Sequence, residues 1–116
     1  MELRYIIIKV KDIERAKKFY IKLLNTHPYK EEPNRIIVFK LENIKIGLYN
    51  PLFDGDSLQE SDFGTNCRPA FGTDDVESEI KRISGFTEIT SRHKIDYHDW
   101  FEFEDSEGNI LEVHKI

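Results

Sequence analysis

The sequence predicts an α+β fold built from two copies of a βαβββ module. Residues 5–20 and residues 68–83 follow the same plan: a short apolar strand, then an aspartate, then an amphipathic helix. Asp12 and Asp75 take equivalent places in the two copies. Three further strand candidates follow each helix, so that each copy supplies four strands and one helix.

The first module begins with a strand and a capped helix. Ile6, Ile8 and Val10 alternate with residues that would face away from the core, which is typical of a strand packed on one side. Asp12 is a good N-cap, and Asn25 can end the helix in a left-handed conformation. The helical stripe consists of Ile13, Ala16, Phe19, Tyr20, Leu23 and Leu24. The three strands that follow are expected at about His27–Glu32, Arg35–Leu41 and Ile44–Tyr49.

The second module repeats this order after a linker at residues 51–66, which is rich in Pro, Gly and acidic residues. A strand at Pro69–Thr73 precedes a helix that Asp74 or Asp75 caps and that Gly85 ends. Its remaining strands are expected at about Phe86–Thr90, Tyr97–Glu104 and Ile110–Lys115. The chain is thus expected to be one domain, with module one at about 1–50 and module two at about 67–116.

Composition excludes several classes of protein. With 116 residues and a formal net charge of −5, the chain has no basic surface to attract nucleic acid. The longest apolar runs have four residues, as at Tyr5–Ile8, and are far too short for a membrane span or a signal-peptide core. The single cysteine, Cys67, excludes an internal disulfide and a Cys-rich zinc site. We therefore expect a soluble, cytoplasmic protein.

Three segments resemble the vicinal oxygen chelate superfamily, which includes glyoxalase I, bleomycin-resistance proteins, fosfomycin-resistance enzymes and extradiol dioxygenases. They are KVKDIERAKKFYIKLL at the start, AFGTDDVESEI at the midpoint and FEFEDSEGNILEV at the end. The resemblance implies a curled, mixed eight-stranded sheet around a cavity, with the helices outside. The cavity forms within one chain or between two chains, and we expect a homodimer because the edges of each half-cup need covering.

In the superfamily's enzymes, four positions facing the cavity hold a divalent metal. The resemblance places them at Tyr5, Gly47 (or Ile46), Arg68 and Glu112. A guanidinium has no lone pair to give, and Gly or Ile has no donor, so one suitable ligand of four remains. We therefore expect no cofactor, unless a displaced divalent-metal site uses Glu112 with His114 and His98.

The same resemblance and the strand alternation nominate residues that bind a ligand. Phe101 and Phe103 are expected on the helix side of their strand, which turns Trp100 toward the cavity as a plate for a flat ligand or a cation. Arg68 either holds an anionic group of the ligand or neutralises Glu112. His93 is interpreted as a loop residue. The candidates are Tyr5, Gly47, Tyr49, Arg68, His98, Trp100, Glu102 and Glu112.

Three functions follow from this set. The first is a protein that binds a small organic molecule without catalysis, similar to the bleomycin-resistance branch. The second is a lyase, isomerase or dioxygenase that uses Glu112 as a base or an atypical metal site. The third is a structural module whose cavity is filled by its own side chains. The missing metal ligands favour the first, and Glu112 is the one residue to which a catalytic role is assigned if the protein is an enzyme.

Overall fold

The computed structural model describes residues 1–55 and 67–116. The chain forms two compact units, Met1–Asn66 and Cys67–Ile116. The described part of each unit has the element order βαβββ, which confirms the predicted two-module α+β fold. The described strands pair as two four-stranded mixed sheets, one in each unit, rather than as one continuous hydrogen-bonded sheet.

The first unit contains one helix and one sheet in the order β1-β4-β3-β2. Strand β1 runs parallel to β4, and the other neighbours are antiparallel. The elements are β1 (Tyr5–Lys9), α1 (Ile13–Leu24), β2 (Lys30–Glu32), β3 (Ile36–Lys40) and β4 (Lys45–Tyr49).

Helix α1 begins and ends where its capping residues predict. The Asp12 carboxylate accepts a hydrogen bond from the backbone N–H of Arg15 at 3.0 Å, and Asn25 has a left-handed φ of 51°. Four of the six residues in the apolar stripe of the helix are buried, and so is one face of the sheet, while Phe19 and Leu24 are partly exposed. This core consists of Ile8, Val10, Ile13, Ala16, Tyr20, Leu23, Ile37, Phe39, Ile46 and Leu48.

The predicted linker is partly regular. Its first residues, Pro51–Asp54, form a 3₁₀ helix in which the Asn50 side chain accepts from the backbone N–H of Leu52 at 3.1 Å. Residues 56–66 of that linker lie outside the described residues. Within the described parts, no helix is long and apolar enough to cross a membrane.

The second unit repeats the topology, with a sheet in the order β5-β8-β7-β6. The Asp75 carboxylate caps its helix by accepting from the backbone N–H of Ser78 at 3.0 Å. The elements are β5 (Ala70–Thr73), α2 (Val76–Ile83), β6 (Ile89–Ile95), β7 (His98–Glu104) and β8 (Ile110–Lys115). The core consists of Val76, Ile83, Phe101, Phe103, Leu111 and Val113.

The position of β6 differs from the prediction of about Phe86–Thr90. The backbone N–H groups of Phe86 and Thr87 both donate to the carbonyl of Ile83 at 3.0 Å, so this segment closes the end of α2 instead. The strand itself is the polar run Ile89–Ile95, which pairs with β7 and forms an edge of the sheet. Because an edge strand covers little core, it lacks the apolar pattern on which the prediction relied.

The turn between β7 and β8 is held by a buried pair. Asp105 is 6% exposed and Asn109 is 1% exposed. One Asp105 oxygen accepts from the backbone N–H groups of Glu107 and Asn109, and the other accepts from the Asn109 side chain, all between 2.8 and 2.9 Å. Gly108 takes a left-handed φ of 82°, which glycine adopts without strain. These contacts fix the register of the two strands that carry the candidate site.

Candidate functional site

The face of the second sheet that points away from the core carries the candidate site. Phe101, Phe103 and Val113 are buried on the core side. Because side chains alternate along a strand, Trp100 and Glu102 of β7 and their neighbours on β8 project from the opposite face. The predicted orientation of β7 is therefore confirmed.

A β-bulge adds a residue that the sequence analysis placed in a loop. The register of β6 shifts between Ile89 and Ser91, so that Ile89 lies opposite Phe103 while His93 lies opposite Trp100. Without the extra residue, strict alternation from Ile89 would turn His93 toward the core. The interpretation of His93 as a loop residue was wrong, because the bulge brings it onto the same face as Trp100.

His93, Trp100 and His114 form a stacked row across three strands, which we call the aromatic row. The His93 ring lies 4.6 Å from the Trp100 ring at an interplanar angle of 18°. The His114 ring lies 5.6 Å away on the other strand at an angle of 5°. A histidine ring therefore covers each face of Trp100. This corrects the prediction that a face of Trp100 is open to a ligand, since only the edge of the ring is accessible.

Each histidine of the aromatic row is anchored through Nε2. His93 Nε2 lies 3.0 Å from the Ser91 hydroxyl oxygen, and His114 Nε2 lies 2.9 Å from Glu112 Oε2. The hydrogen bond from His114 and then the contact with Arg68 hold the pKa of Glu112 below its usual range, against the effect of burial. Glu112 is therefore ionised over the whole neutral range.

Glu102 and Glu112 face each other directly across β7 and β8, and we call them the carboxylate pair. Arg68 Nη1 lies 3.7 Å from Glu102 Oε1 and 3.5 Å from Glu112 Oε1. The carboxylate side chains are 23% and 17% exposed, whereas that of Arg68 is 51% exposed. The predicted contact between Arg68 and Glu112 is thus present, but one nitrogen is shared between two acids in place of a two-pronged fork. This arrangement supports the neutralising interpretation of Arg68.

His98 stands apart from this cluster. It begins β7 opposite Ile95, beside the turn at Asp96 and Tyr97, and its side chain is exposed. Among the described residues, no three His, Cys, Asp or Glu side chains come together in a way that could hold a metal ion.

The first unit carries three of the predicted ligand-binding residues, Tyr5, Gly47 and Tyr49, and each of them lies against other side chains of this unit. Lys45 Nζ lies 5.2 Å from the centroid of the Tyr5 ring. Gly47 shares the face of Ile7, whose Cδ1 lies 2.7 Å from the place a Cβ of residue 47 would take, while Ile46 is buried on the side of α1. Gly47, rather than Ile46, therefore faces away from the helix.

Tyr49 is engaged through its hydroxyl group. That hydroxyl donates to Asp54, and Arg35 Nε donates to the same carboxylate at 3.2 Å. The two hydrogen bonds lower the pKa of Asp54, with that from Tyr49 as the larger cause. Asp54 is therefore an ordered partner of Tyr49 and Arg35.

The positions that would carry the superfamily's metal do not fit one. Beside Glu112 stands the guanidinium of Arg68, and over Tyr5 stands the ammonium of Lys45. Both are fixed positive charges that repel a divalent cation. Gly47 has no donor atom, and the space above it is taken by Ile7.

No family model matches the sequence, and no curated protein matches it. Several solved structures, however, match the fold of this chain. A lactoylglutathione lyase from Agrobacterium tumefaciens superimposes with a TM-score of 0.80 at 17% identity, covering 98% of this chain and 92% of the other. The chain has the vicinal oxygen chelate fold.

Two further proteins share the vicinal oxygen chelate fold with this chain. An antibiotic-binding protein from a Streptomyces species has a TM-score of 0.78 at 16% identity, covering 99% of this chain and 95% of the other. A fosfomycin resistance protein from Listeria monocytogenes has a TM-score of 0.78 at 21% identity, covering 100% and 93%. At such identities the likeness establishes the fold, which hosts several activities.

Proposed function

We propose that this protein binds a small organic molecule on the open face of its second sheet, through its own side chains and without a divalent metal. The observation that carries the proposal is the connection of the carboxylate pair to the aromatic row through the bond between Glu112 and His114. Ligand sites combine aromatic side chains with a few precisely placed polar groups, and this sheet face presents both.

The charges of the site favour a ligand that carries a cationic group. Among the carboxylate and guanidinium groups of the site, two carboxylates face one guanidinium, which leaves one negative charge in excess. Within the part of the chain that the structure describes, the ion pair of Glu102 is with Arg68 at 3.7 Å, beyond hydrogen-bond distance, so Glu102 can receive an ammonium or amidinium group. We expect an anionic ligand to bind only if it displaces Arg68 from the carboxylates.

The aromatic row favours a planar group beside that cation. Because Trp100 and its two histidines stand face to face, their edges point to the open side of the sheet. Ring edges carry partial positive charge and attract the face of another ring in an edge-to-face contact. A flat ligand would lie across the row rather than stack on Trp100.

The antibiotic-binding protein of the same fold supports a binding role, because it shows that this fold can bind an organic compound. The expected homodimer and the expected cytoplasmic location belong to the same proposal. Four-stranded sheets with exposed edge strands favour a partner chain that covers them.

A thermal-shift screen tests the proposal. The panel consists of planar aromatic compounds that carry an alkylammonium or amidinium group, including antibiotics, each paired with a neutral analogue that lacks that group. A ligand that binds the folded state raises the melting temperature by mass action. We expect the cationic member of each effective pair to give the larger shift.

Calorimetry then compares the affinity of variants for the compound and shows whether it binds at the carboxylate pair. Glu102→Gln should weaken binding about tenfold, equivalent to ~1.4 kcal/mol. Glu88→Gln removes the same charge from an exposed position before β6 and should leave affinity unchanged. Equal loss in both variants, or none in either, would show that the ligand does not use the carboxylate pair.

One observation favours a second candidate, a metal-free enzyme of proton transfer. The hydrogen bond that His114 Nε2 donates to Glu112 resembles the carboxylate–imidazole pairs that orient a general base. The lowered pKa of Glu112 makes it a weak base, so His114, whose side chain is 38% exposed, would take the proton. Deuterium exchange at the acidic C–H of a bound carbonyl compound, present in the parent and lost in His114→Gln, would support catalysis over simple binding.

A further inference from the structure

The first sheet carries two lysines in an arrangement that calls for a counter-charge. Lys40 of β3 and Lys45 of β4 are directly opposite each other in the antiparallel register. Like charges in such a cross-strand pair are destabilising. Within residues 1–55 and 67–116, no carboxylate lies within ion-pair distance of either ammonium group.

Aromatic rings hold the two ammonium groups in place. Lys45 Nζ lies 5.2 Å from the centroids of both the Tyr5 and the Tyr29 rings, and Lys40 Nζ lies 5.5 Å from that of Tyr29. Tyr29 is therefore shared by both lysines, which keeps their charges close together. The rings are 42% and 58% exposed, so the cluster is open to a ligand from solvent.

A cavity of about 470 Å³ lies beside these groups. Its charged lining consists of Glu2, Arg4, Lys40, Glu42 and Lys45. Arg4 donates to Glu2 at 2.9 Å, so those two charges balance, and two lysines remain against Glu42. The cavity thus keeps an excess positive charge on a protein whose total charge is −5.

We propose that Lys40 and Lys45, with Tyr5 and Tyr29 beside them, bind the phosphate or carboxylate group of a small molecule at this cavity. Two ammonium groups that repel each other become mutually compatible when one anion lies between them. The site belongs to the first unit, whereas the carboxylate pair belongs to the second. If no anion binds at this cavity, the proposal that a ligand binds on the second sheet is unaffected.

Titration of ¹⁵N-labelled protein with inorganic phosphate at constant ionic strength tests this proposal, and benzoate is the second probe. We expect saturable shifts of the backbone signals of Lys45 and of the turn between β3 and β4. The double variant Lys40→Gln/Lys45→Gln should weaken the response about tenfold. The matched control Lys18→Gln/Lys81→Gln removes two exposed helix charges and should behave as the parent does.

A response to either anion that depends on the two lysines supports the site and shows which anionic group it accepts. If neither anion gives a saturable response, or if both double variants respond equally, the proposal is wrong. Lys40→Gln alone, at an exposed position, is used should the double variant not fold, and it must weaken the response relative to Lys18→Gln.

Discussion

Glu112 connects the two halves of the candidate site, since it contacts both His114 and Arg68. These two contacts lower its pKa and thereby stabilise the folded state. A carboxylate whose pKa is lowered on folding contributes stability above its unfolded-state pKa. That contribution is lost as the pH falls through the folded-state pKa.

We predict that Glu112→Gln lowers the free energy of unfolding by about 1–2 kcal/mol at pH 7, because two charge-assisted contacts are weakened. The difference from the parent should shrink as the pH falls below the unfolded-state pKa of glutamate, about 4.3, and through the lower folded-state pKa of Glu112, where the parent's carboxylate also becomes protonated. Urea denaturation of both proteins at pH 7 and at pH 3 measures it. A difference that is the same at both pH values would contradict the assigned role of the charge.

Single residues differ in how far the sequence could predict them. The side of β7 that carries Trp100 and Glu102 followed from alternation with Phe101 and Phe103, which are fully buried. The contact of Arg68 with Glu112 followed from the family resemblance. The covering of Trp100 by His93 could not be predicted, because it depends on a bulge of one residue in β6.

At the scale of elements, the turn between β7 and β8 positions the site. Asp105 accepts three hydrogen bonds there in a buried setting. Removing an acceptor of buried donors costs about 1–3 kcal/mol. This turn therefore fixes the register that sets the carboxylate pair face to face.

We predict that Asp105→Ala destabilises the protein by at least about 2 kcal/mol, since several buried donors lose their acceptor. Ser106→Ala, at the next position in the same turn, removes one hydrogen bond to Glu107 and should cost well under about 1 kcal/mol. Urea denaturation of the two variants gives the comparison. Equal costs would mean that the buried aspartate does not hold the turn.

The elements with an apolar pattern were predicted well, and the polar edge strand was not. Helix α1 and strand β8 have the expected bounds, because their stripes and caps agree. Strand β6 carries Thr90, Ser91, Arg92 and Lys94, which gives no period of two in hydrophobicity. The signal that the sequence offered is Asp96, a residue type that tolerates left-handed backbone; it takes a φ of 54° in the two-residue turn that joins β6 to β7.

At the scale of the whole molecule, the described part of each unit has two edge strands, β1 and β2 in one sheet and β5 and β6 in the other. Because such edges are ready to pair with another chain, we predict a homodimer. Sedimentation velocity at micromolar concentration should give about twice the chain mass of 13.8 kDa. A sedimenting species of single-chain mass would contradict this prediction.

We also predict that the purified protein carries no near-stoichiometric divalent metal. A dication ~4 Å from one guanidinium meets about 8 kcal/mol of repulsion at an effective dielectric constant of ~20. Elemental analysis of protein prepared without a His-tag, followed by calorimetry with zinc, nickel and manganese, measures this directly. Bound metal that is lost on Glu112→Ala would overturn the metal-free account.

The central claim is that a ligand binds beside the aromatic row, and Trp100 is the single tryptophan of the chain. Its emission therefore reports on this surface alone. Titration of the parent with the compound that gives the largest thermal shift should change the Trp100 emission in a saturable way, with the dissociation constant found by calorimetry and with weaker affinity in Glu102→Gln. A compound that raises the melting temperature and saturates in calorimetry but leaves the Trp100 emission unchanged would contradict the account.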